Sequence, residues 1–269
     1  MTQKKSGAKL FQSAADDLVH SRDPQTTEQS RSPAYQLAYD DLDFVLRDEM
    51  RPVRLLMELS KPELGFQEQG IENTVVMFGS ARIAEGEKAQ QRYEQLQQKL
   101  SQSPGDADLK LRCAQAQRRQ DYVRYYEQAR SLATLISDES GGNGLPRLHV
   151  VTGGGPGIME AANRGASDIG RASVGLNIVL PEEQSPNDYI TPSLCFRFHY
   201  FAMRKLHFLL RAKALVVFPG GFGTLDELFE TLTLMQTQKI KPLPILLFGR
   251  EYWQRLIDFN FLLAEGMVS

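Results

Sequence analysis

The chain of 269 residues has little sulfur and little histidine. Its two cysteines, Cys113 and Cys195, stand far apart. Two are too few for a disulfide framework and suit a reducing compartment, the cytoplasm. The four histidines, His20, His149, His199 and His207, are scattered, and neither they nor the cysteines fall at metal-ligand spacing. No apolar run approaches the ~18 residues that mark a membrane span. The N-terminal "MTQKKSGAKLFQSAADDLVHS" lacks the apolar core of a secretory leader. A net charge of −2 excludes the global basic footprint of a nucleic-acid binder. What is present is ordinary: 42% hydrophobic and 24% charged residues, with room for one large domain or two small ones.

Along the chain the composition changes twice. Residues 1–35 are rich in Ser, Gln, Thr and Lys with few apolar anchors, and read as a flexible tail. Residues 36–72 read as an N-terminal helical extension. Apolar residues recur at helical spacing from Tyr35 to Leu59, with an interruption expected at Pro52. From residue 73 to 269 the rhythm is that of one α/β domain. "TVVMF" predicts a buried strand over Thr74–Phe78. A long helical stretch then runs from Glu85 to Asp138, broken at "SPGDAD", where Pro104 and Gly105 end one helix and Asp106 or Asp108 can cap the next. Within it, residues of about 85–131 mix Gln, Arg and Glu, and read as an inserted, solvated helical hairpin.

Strands are predicted at Arg147–Thr152, Ser173–Leu180, Ala214–Phe218 and "PLPILLFG". Helices are predicted from Pro156 to Ile169, Tyr200 to Arg211, Thr224 to Thr237, and over "REYWQRLIDFNFLL". Strands alternating with helices give a Rossmann-like, doubly wound parallel sheet. Continuous apolar runs such as "ALVVF" and "PILLF" fit central strands buried on both faces.

Three of these strands end in small-residue turns: "FGSAR", "VTGGGPGIMEAA" and "FPGGFGTLDE". Ligands of such sheets bind outside the carboxyl ends of the strands. Glycine lets a ligand approach the backbone, and the helix that follows offers unpaired N–H groups and a positive dipole end. Gly153-Gly154-Gly155-Pro156-Gly157 and Gly220-Gly221-Phe222-Gly223-Thr224 are therefore candidate phosphate cradles. Thr224 can cap its helix or donate to a phosphate. Neither loop ends in the GK[ST] of a nucleoside-triphosphate loop.

Asp226, Glu227 and Glu230 lie in the first two turns after the second loop. Helix-dipole stabilisation explains acids there as a type, but beside a phosphate cradle they should repel the ligand. A carboxylate in that place suits developing positive charge, such as the oxocarbenium-like ribose of a breaking N-glycosidic bond, or can accept a proton from attacking water. Arg204 and Lys205, in "YFAMRKLHF", open another predicted helix. They read either as a solvated basic pair or, through Arg204, as the partner that holds phosphate or aligns a carboxylate.

Pro219 to Glu227, "PGGFGTLDE", together with the upstream pair Arg204-Lys205, resembles the Lonely Guy (LOG) family of cytokinin riboside 5′-monophosphate phosphoribohydrolases, formerly labelled lysine decarboxylases. Arg204 and Glu227 stand 23 residues apart, the family's spacing. "GGGPGIMEAANRGA" and "GLNIVLPEEQSPNDY" also resemble family segments, and the likeness covers roughly Asn73 to Met267. It implies hydrolysis of a nucleoside 5′-monophosphate, AMP or an N6-substituted AMP, to free base and ribose 5-phosphate. Arg204 and Glu227 would be the catalytic pair, with Glu230 as the alternative acid. Substrate would be bound by Gly79 and Ser80, by the loop residues Gly153, Gly154, Gly155, Gly220, Gly221, Gly223 and Thr224, and by Met203 and Lys205 beside the catalytic arginine.

The resemblance further implies no cofactor, no metal, no nucleic-acid polymer or membrane partner, and a homodimer or higher homo-oligomer. Asp226 stands where plant members often have Glu. The N-terminal extension and the insertion between Ala84 and Ser131 point to the longer bacterial group, and a further short segment is expected beyond Ser269. Two other readings stay open. One is a nucleotide-binding or carrier module without turnover. The other is a decarboxylase, which needs a pyridoxal Schiff-base lysine, and no lysine here has a recognisable cofactor setting.

Overall fold

The computed structural model describes residues 12–21, 27–139, 146–181 and 185–268. It resolves into two compact units, residues 1–57 and 58–269. The tail read over residues 1–35 lies partly outside the described residues.

The first unit is small and helical. It holds α1 (Ala14–Ser21), α2 (Leu42–Val45), short 3-10 turns at Pro33–Tyr35 and Asp48–Met50, and the start of α3 (Arg51–Glu68). Asp41 caps α2 by accepting the Phe44 N–H at 2.9 Å. Arg54 Nη1 donates to the carbonyls of Val45 and Arg47 at 2.7 and 2.6 Å. Pro52 does not interrupt a helix here. It occupies the second position of α3, where its missing N–H costs no bond.

The second unit is built on six parallel strands: β1 (Thr74–Phe78), β2 (His149–Thr152), β3 (Ser173–Ile178), β4 (Cys195–Phe198), β5 (Ala212–Val217) and β6 (Ile245–Leu247). Their order is β4-β3-β2-β1-β5-β6. The helices are the remainder of α3, then α4 (Gly86–Gln102), α5 (Ala107–Gln120), α6 (Val123–Glu139), α7 (Ile158–Ser167), α8 (Phe201–Leu210), α9 (Phe222–Gln236), α10 (Arg250–Leu256) and α11 (Phe259–Ala264). All five residues of β1 are buried, as its unbroken apolar run predicts.

Alternate residues serve opposite faces of the sheet. Val76, Phe78, Val151, Leu215 and Val217 join Phe66 of α3, Phe208 of α8, Leu228 of α9 and Trp253 of α10 in one core. Val75, Met77, Val150 and Val216 join Tyr126, Ala129 and Ala133 of α6 and Ile158 and Ala161 of α7 in the other. The sheet is therefore doubly wound, as expected.

The strand order reverses between β1 and β5. The chain moves outward from β1 through β2 and β3 to β4, then crosses back to place β5 on the other side of β1. Helices after β1 and β5 thus diverge to opposite faces, which opens a crevice at the strand ends. Two of the three glycine turns sit there.

Four local features differ from the sequence reading. Strand β6, read as central and buried on both faces, lies at the sheet edge with Leu246 exposed, because no further strand follows it to cover that side among the described residues. The predicted helical stretch Glu85–Asp138 has a second break at Asp121–Tyr122. The helix before it packs in the α4–α5 hairpin around Leu96, Cys113 and Ala116, while the helix after it covers the sheet, so the chain must turn between two partners. Strand β4 was not foreseen. It is four residues long, with Phe196 and Phe198 buried on either side of exposed Arg197, the alternation of an edge strand. The final helix divides at Asp258, whose carboxylate caps α11 by accepting the Phe261 N–H at 2.9 Å.

Candidate active site

The crevice at the switch point is a cleft of about 660 Å³. One wall is the turn after β1, Gly79 to Arg82. Another is the loop and the start of α9, Gly220 to Glu227. Phe201 and Arg204 of α8, Met159 of α7 and Tyr252 and Leu256 of α10 complete it.

The strand-end turns lock together through their backbones. Ser80 N–H donates to the Pro219 carbonyl at 3.0 Å, and Ile158 N–H donates to the Ser80 carbonyl at 3.2 Å. Glycine is required at two of these crossings. A Cβ on Gly79 would fall 2.7 Å from the Ile158 side chain. Gly157 has φ +74°, and a Cβ there would overlap the Ser80 carbonyl oxygen.

Helix α9 begins without a side-chain cap at Gly221. Its first intrahelical bond runs from Leu225 N–H to the Gly221 carbonyl at 3.0 Å. The N–H groups of Phe222, Gly223 and Thr224 therefore precede the helical ladder, at the positive end of the dipole. A Cβ on Gly220 would overlap the Thr224 hydroxyl. Tyr252 OH donates a short hydrogen bond to the Gly220 carbonyl, holding the loop from the other side.

Two opposite charges reach into this cleft without pairing. Glu227, on the second turn of α9, is 7% exposed. Burial raises its carboxyl pKa, Arg204 and Lys205 pull it down, Glu230 and Asp226 push it up, and it settles at about 7. The Arg204 guanidinium lies over the rings of Phe208 and Phe201, at 5.2 and 5.9 Å. Burial lowers its pKa, while the Glu227 and Asp226 carboxylates oppose that shift. Arg204 Nε is buried without a hydrogen-bond partner among the described residues. Arg204 and Glu227 are close enough to feel each other yet form no ion pair among the described residues.

Their carrier helices are held in place. Helix α8 has no cap of its own at Tyr200. The Glu58 carboxylate of α3 accepts the His199 and Tyr200 N–H groups instead, at 2.8 and 3.1 Å. At the other end Arg211 is gripped by both Glu63 oxygens.

The structure thus brings Gly79, Ser80, Arg204, Gly220, Gly221, Gly223, Thr224 and Glu227 to one cleft. Five other residues of the sequence-read set do not line it. Met203 packs against the core. Lys205 Nζ is held by Asp226 at 2.8 Å and Glu230 at 3.3 Å. Burial works against its ammonium, and the two carboxylates outweigh that and raise its pKa. Gly153, Gly154 and Gly155 form a second layer. A Cβ on Gly153 would stand 3.0 Å from Arg204 Nη2, so this glycine makes room for the arginine. Asn187 Nδ2 donates to the carbonyls of Gly154 and Gly155 at 3.2 and 3.1 Å. Tyr252, Phe201, Arg82 and Asn187 were not singled out. Arg82 closes the "FGSAR" turn and Asn187 lies in "GLNIVLPEEQSPNDY", while Tyr252 carries no motif and only the topology brings it here.

A protein-family model described as "Possible lysine decarboxylase" matches residues 159–269, which include the Arg204-Lys205 pair and the Pro219–Glu227 loop. The model that matches this segment is that of the LOG family. The chain is 32% identical over 136 residues to a protein of Escherichia coli (strain K12) named pyrimidine/purine nucleotide 5′-monophosphate nucleosidase, covering 43% of this chain and 28% of that one. It therefore spans less than a third of that relative's length. It is 28% identical over 149 residues to a cytokinin riboside 5′-monophosphate phosphoribohydrolase of Arabidopsis thaliana, covering 54% of this chain and 65% of that one. A solved molybdenum cofactor binding protein from Rippkaea orientalis is 21% identical with a TM-score of 0.36, covering 49% of this chain and 72% of that one, a likeness too low to bear on the argument.

The decarboxylase in the LOG-family description would call for pyridoxal phosphate on a lysine. The residues do not fit it. Among the described residues no lysine lines the cleft, and Lys205, the nearest in sequence to Arg204, is committed to two carboxylates. No described helix is long and apolar enough to cross a membrane.

Proposed function

We propose that this cleft hydrolyses the N-glycosidic bond of a purine ribonucleoside 5′-monophosphate, AMP or an N6-substituted AMP, releasing free base and ribose 5-phosphate. The observation that carries the reading is the buried, unpaired couple of Arg204 and Glu227 beside the uncapped start of α9. An unpaired buried charge costs several kcal/mol, and a ligand carrying the complementary charges offsets that cost. The names of the two relatives support a nucleotide 5′-monophosphate as that ligand.

The phosphate sits at the N–H groups of Phe222, Gly223 and Thr224 and takes the Thr224 hydroxyl. The C1′–N bond then breaks, its electron pair leaves with the base, and the ribose ring oxygen shares the positive charge. Glu227 as carboxylate either stabilises that cation or takes a proton from the attacking water. The water oxygen bonds to C1′, and its proton ends on the base nitrogen. Arg204 orients the nucleotide. Glu230 is the weaker candidate acid because Lys205 engages it. Exposed Leu206 and Leu210 on α8 and Phe229 on α9 are consistent with a homodimer or higher homo-oligomer.

Chromatography of base release from a panel of nucleoside monophosphates tests the reading. We expect adenine from AMP with wild type and none with Glu227→Gln. Tight AMP binding with no base release would replace the enzyme with a nucleotide carrier. Wild-type release by Glu227→Gln would remove Glu227 from the chemistry.

A further inference from the structure

Four aromatic rings line the cleft: Phe78, Phe201, Phe222 and Tyr252. Three of them have partners within the protein. Phe78 is buried and meets Phe208 edge-on, with ring centroids 4.8 Å apart. Tyr252 stands edge-on to Trp253 at 5.2 Å, and its hydroxyl is committed to the Gly220 carbonyl. Phe201 carries the Arg204 guanidinium over its ring. Phe222 has no ring or cation partner among the described residues. It is 91% exposed, more than any other large apolar side chain described.

The fold does not call for a ring at that position. A Cβ on either neighbour, Gly221 or Gly223, would meet nothing within 4 Å, so the space around Phe222 is open. The loop is otherwise built of small residues, as an anion cradle requires. A phenyl ring left in water forfeits the free energy that burial would supply. The side chain therefore gains a partner only from outside the chain, and the backbone fixes where that partner lies. The Phe222 N–H precedes the helical ladder of α9 and belongs to the phosphate cradle. A nucleotide held there by its 5′-phosphate carries its sugar and base along the cleft, within reach of the ring on the same residue. The planar heterocycle is the part of that ligand that an aromatic face holds best, by stacking.

We infer that the Phe222 ring stacks on the base of the nucleotide and sets a preference for large, flat heterocycles at this site. The inference rests on the nucleotide reading above and goes beyond it, since that reading gives the base no partner. One residue then reads both ends of the ligand, its amide the phosphate and its ring the base. A purine offers a larger π-face than a pyrimidine, so the stack favours the purine.

Calorimetry on Glu227→Gln protein, which is expected to leave AMP intact, tests the stack. Adding Phe222→Ala should weaken AMP binding by about tenfold or more and leave ribose 5-phosphate, which has no base, unchanged. Phe222→Leu keeps apolar bulk without the π-face and should not restore AMP affinity, whereas Phe222→Tyr should. The advantage of AMP over UMP should shrink in Phe222→Ala. Phe222→Trp adds a reporter to a protein whose single native tryptophan, Trp253, is buried. Its emission should be quenched by AMP and not by ribose 5-phosphate. Urea midpoints should not fall in any of these variants, because the ring has no partner to lose. The inference is overturned if Phe222→Ala binds AMP like its parent, or if it loses AMP and ribose 5-phosphate equally, which would assign the ring to loop geometry. Unchanged AMP affinity with a smaller oligomer in light scattering would overturn it in favour of a second copy of the chain. Base release separates the two proposals. Wild type that frees adenine, with Phe222→Ala keeping the wild-type KM, sinks the stack alone. Wild type whose AMP binding depends on Phe222 but which frees no base sinks the glycosidase reading alone. Wild type that binds no AMP removes both.

Discussion

Replacing Glu227 by Gln removes one titration and isolates what burying that carboxyl costs. Its pKa moves from an ordinary 4.5 to about 7 in the folded protein. A shift of that size is worth roughly 3 kcal/mol at about 1.4 kcal/mol per unit. Exposure of 7% leaves little solvent to screen it. Below pH 4.5 both folded and unfolded states hold the proton, and nothing is lost. Between 4.5 and about 7 the unfolded chain releases it while the folded protein keeps it. The native state then binds more protons, so stability falls as pH rises, and it levels off above 7. The Gln variant lacks this dependence. The stability of Glu227→Gln minus that of wild type should therefore climb by roughly 3 kcal/mol from pH 4.5 to pH 8, about 6–12 °C in Tm for a unit of this size. Urea unfolding at pH 4.5, 6 and 8, followed in ligand-free protein, reads the slope independently of any constant offset that the amide introduces. A difference that stays flat across the range would mean that the carboxyl is solvated or paired, and would remove the buried charge on which the catalytic reading stands.

Three further outcomes follow from the site. Arg204→Lys should lower base release at saturating AMP by about 100-fold or more, because an ammonium lacks the planar fork; a near-wild-type kcat would take Arg204 out of the reaction. Gly157→Ala should cost about 2 kcal/mol or more in urea unfolding, since φ is +74° and the new methyl meets the Ser80 carbonyl; an unchanged midpoint would show that the turns after β1 and β2 do not interlock. Tyr252→Phe should change stability by about 1 kcal/mol or less and raise KM for the nucleotide in initial-rate assays, as the Gly220 carbonyl loses its donor. An unchanged KM would separate that bond from ligand binding.

The parallel sheet was legible because β1, β2, β5 and β6 are apolar runs that lead into glycine turns, a pattern with few other physical explanations. The Pro219–Glu227 loop was legible for the same reason, and its acids stood out because they sit where a phosphate would not want them. Sequence could not divide the roles of those acids. Asp226 and Glu230 satisfy Lys205, and Glu227 faces the cleft; that division depends on the rotation of α9 against α8. The loop Gly153–Gly155 carries the strongest local glycine signal, yet it backs the arginine rather than lining the cleft, because β2 lies one strand away from the switch point. Strand β4 escaped because four residues hold too little alternation to register. Tyr252 has no local signature at all, since its place depends on strand order.

The cap that Glu58 places on α8 ties the arginine's helix to the very start of the larger unit. Deletions that trim the chain from its amino end would therefore unseat Arg204 well before they reach the first strand of the sheet. The safe limit for a minimal fragment lies at residue 58 rather than at the edge of the β-structure.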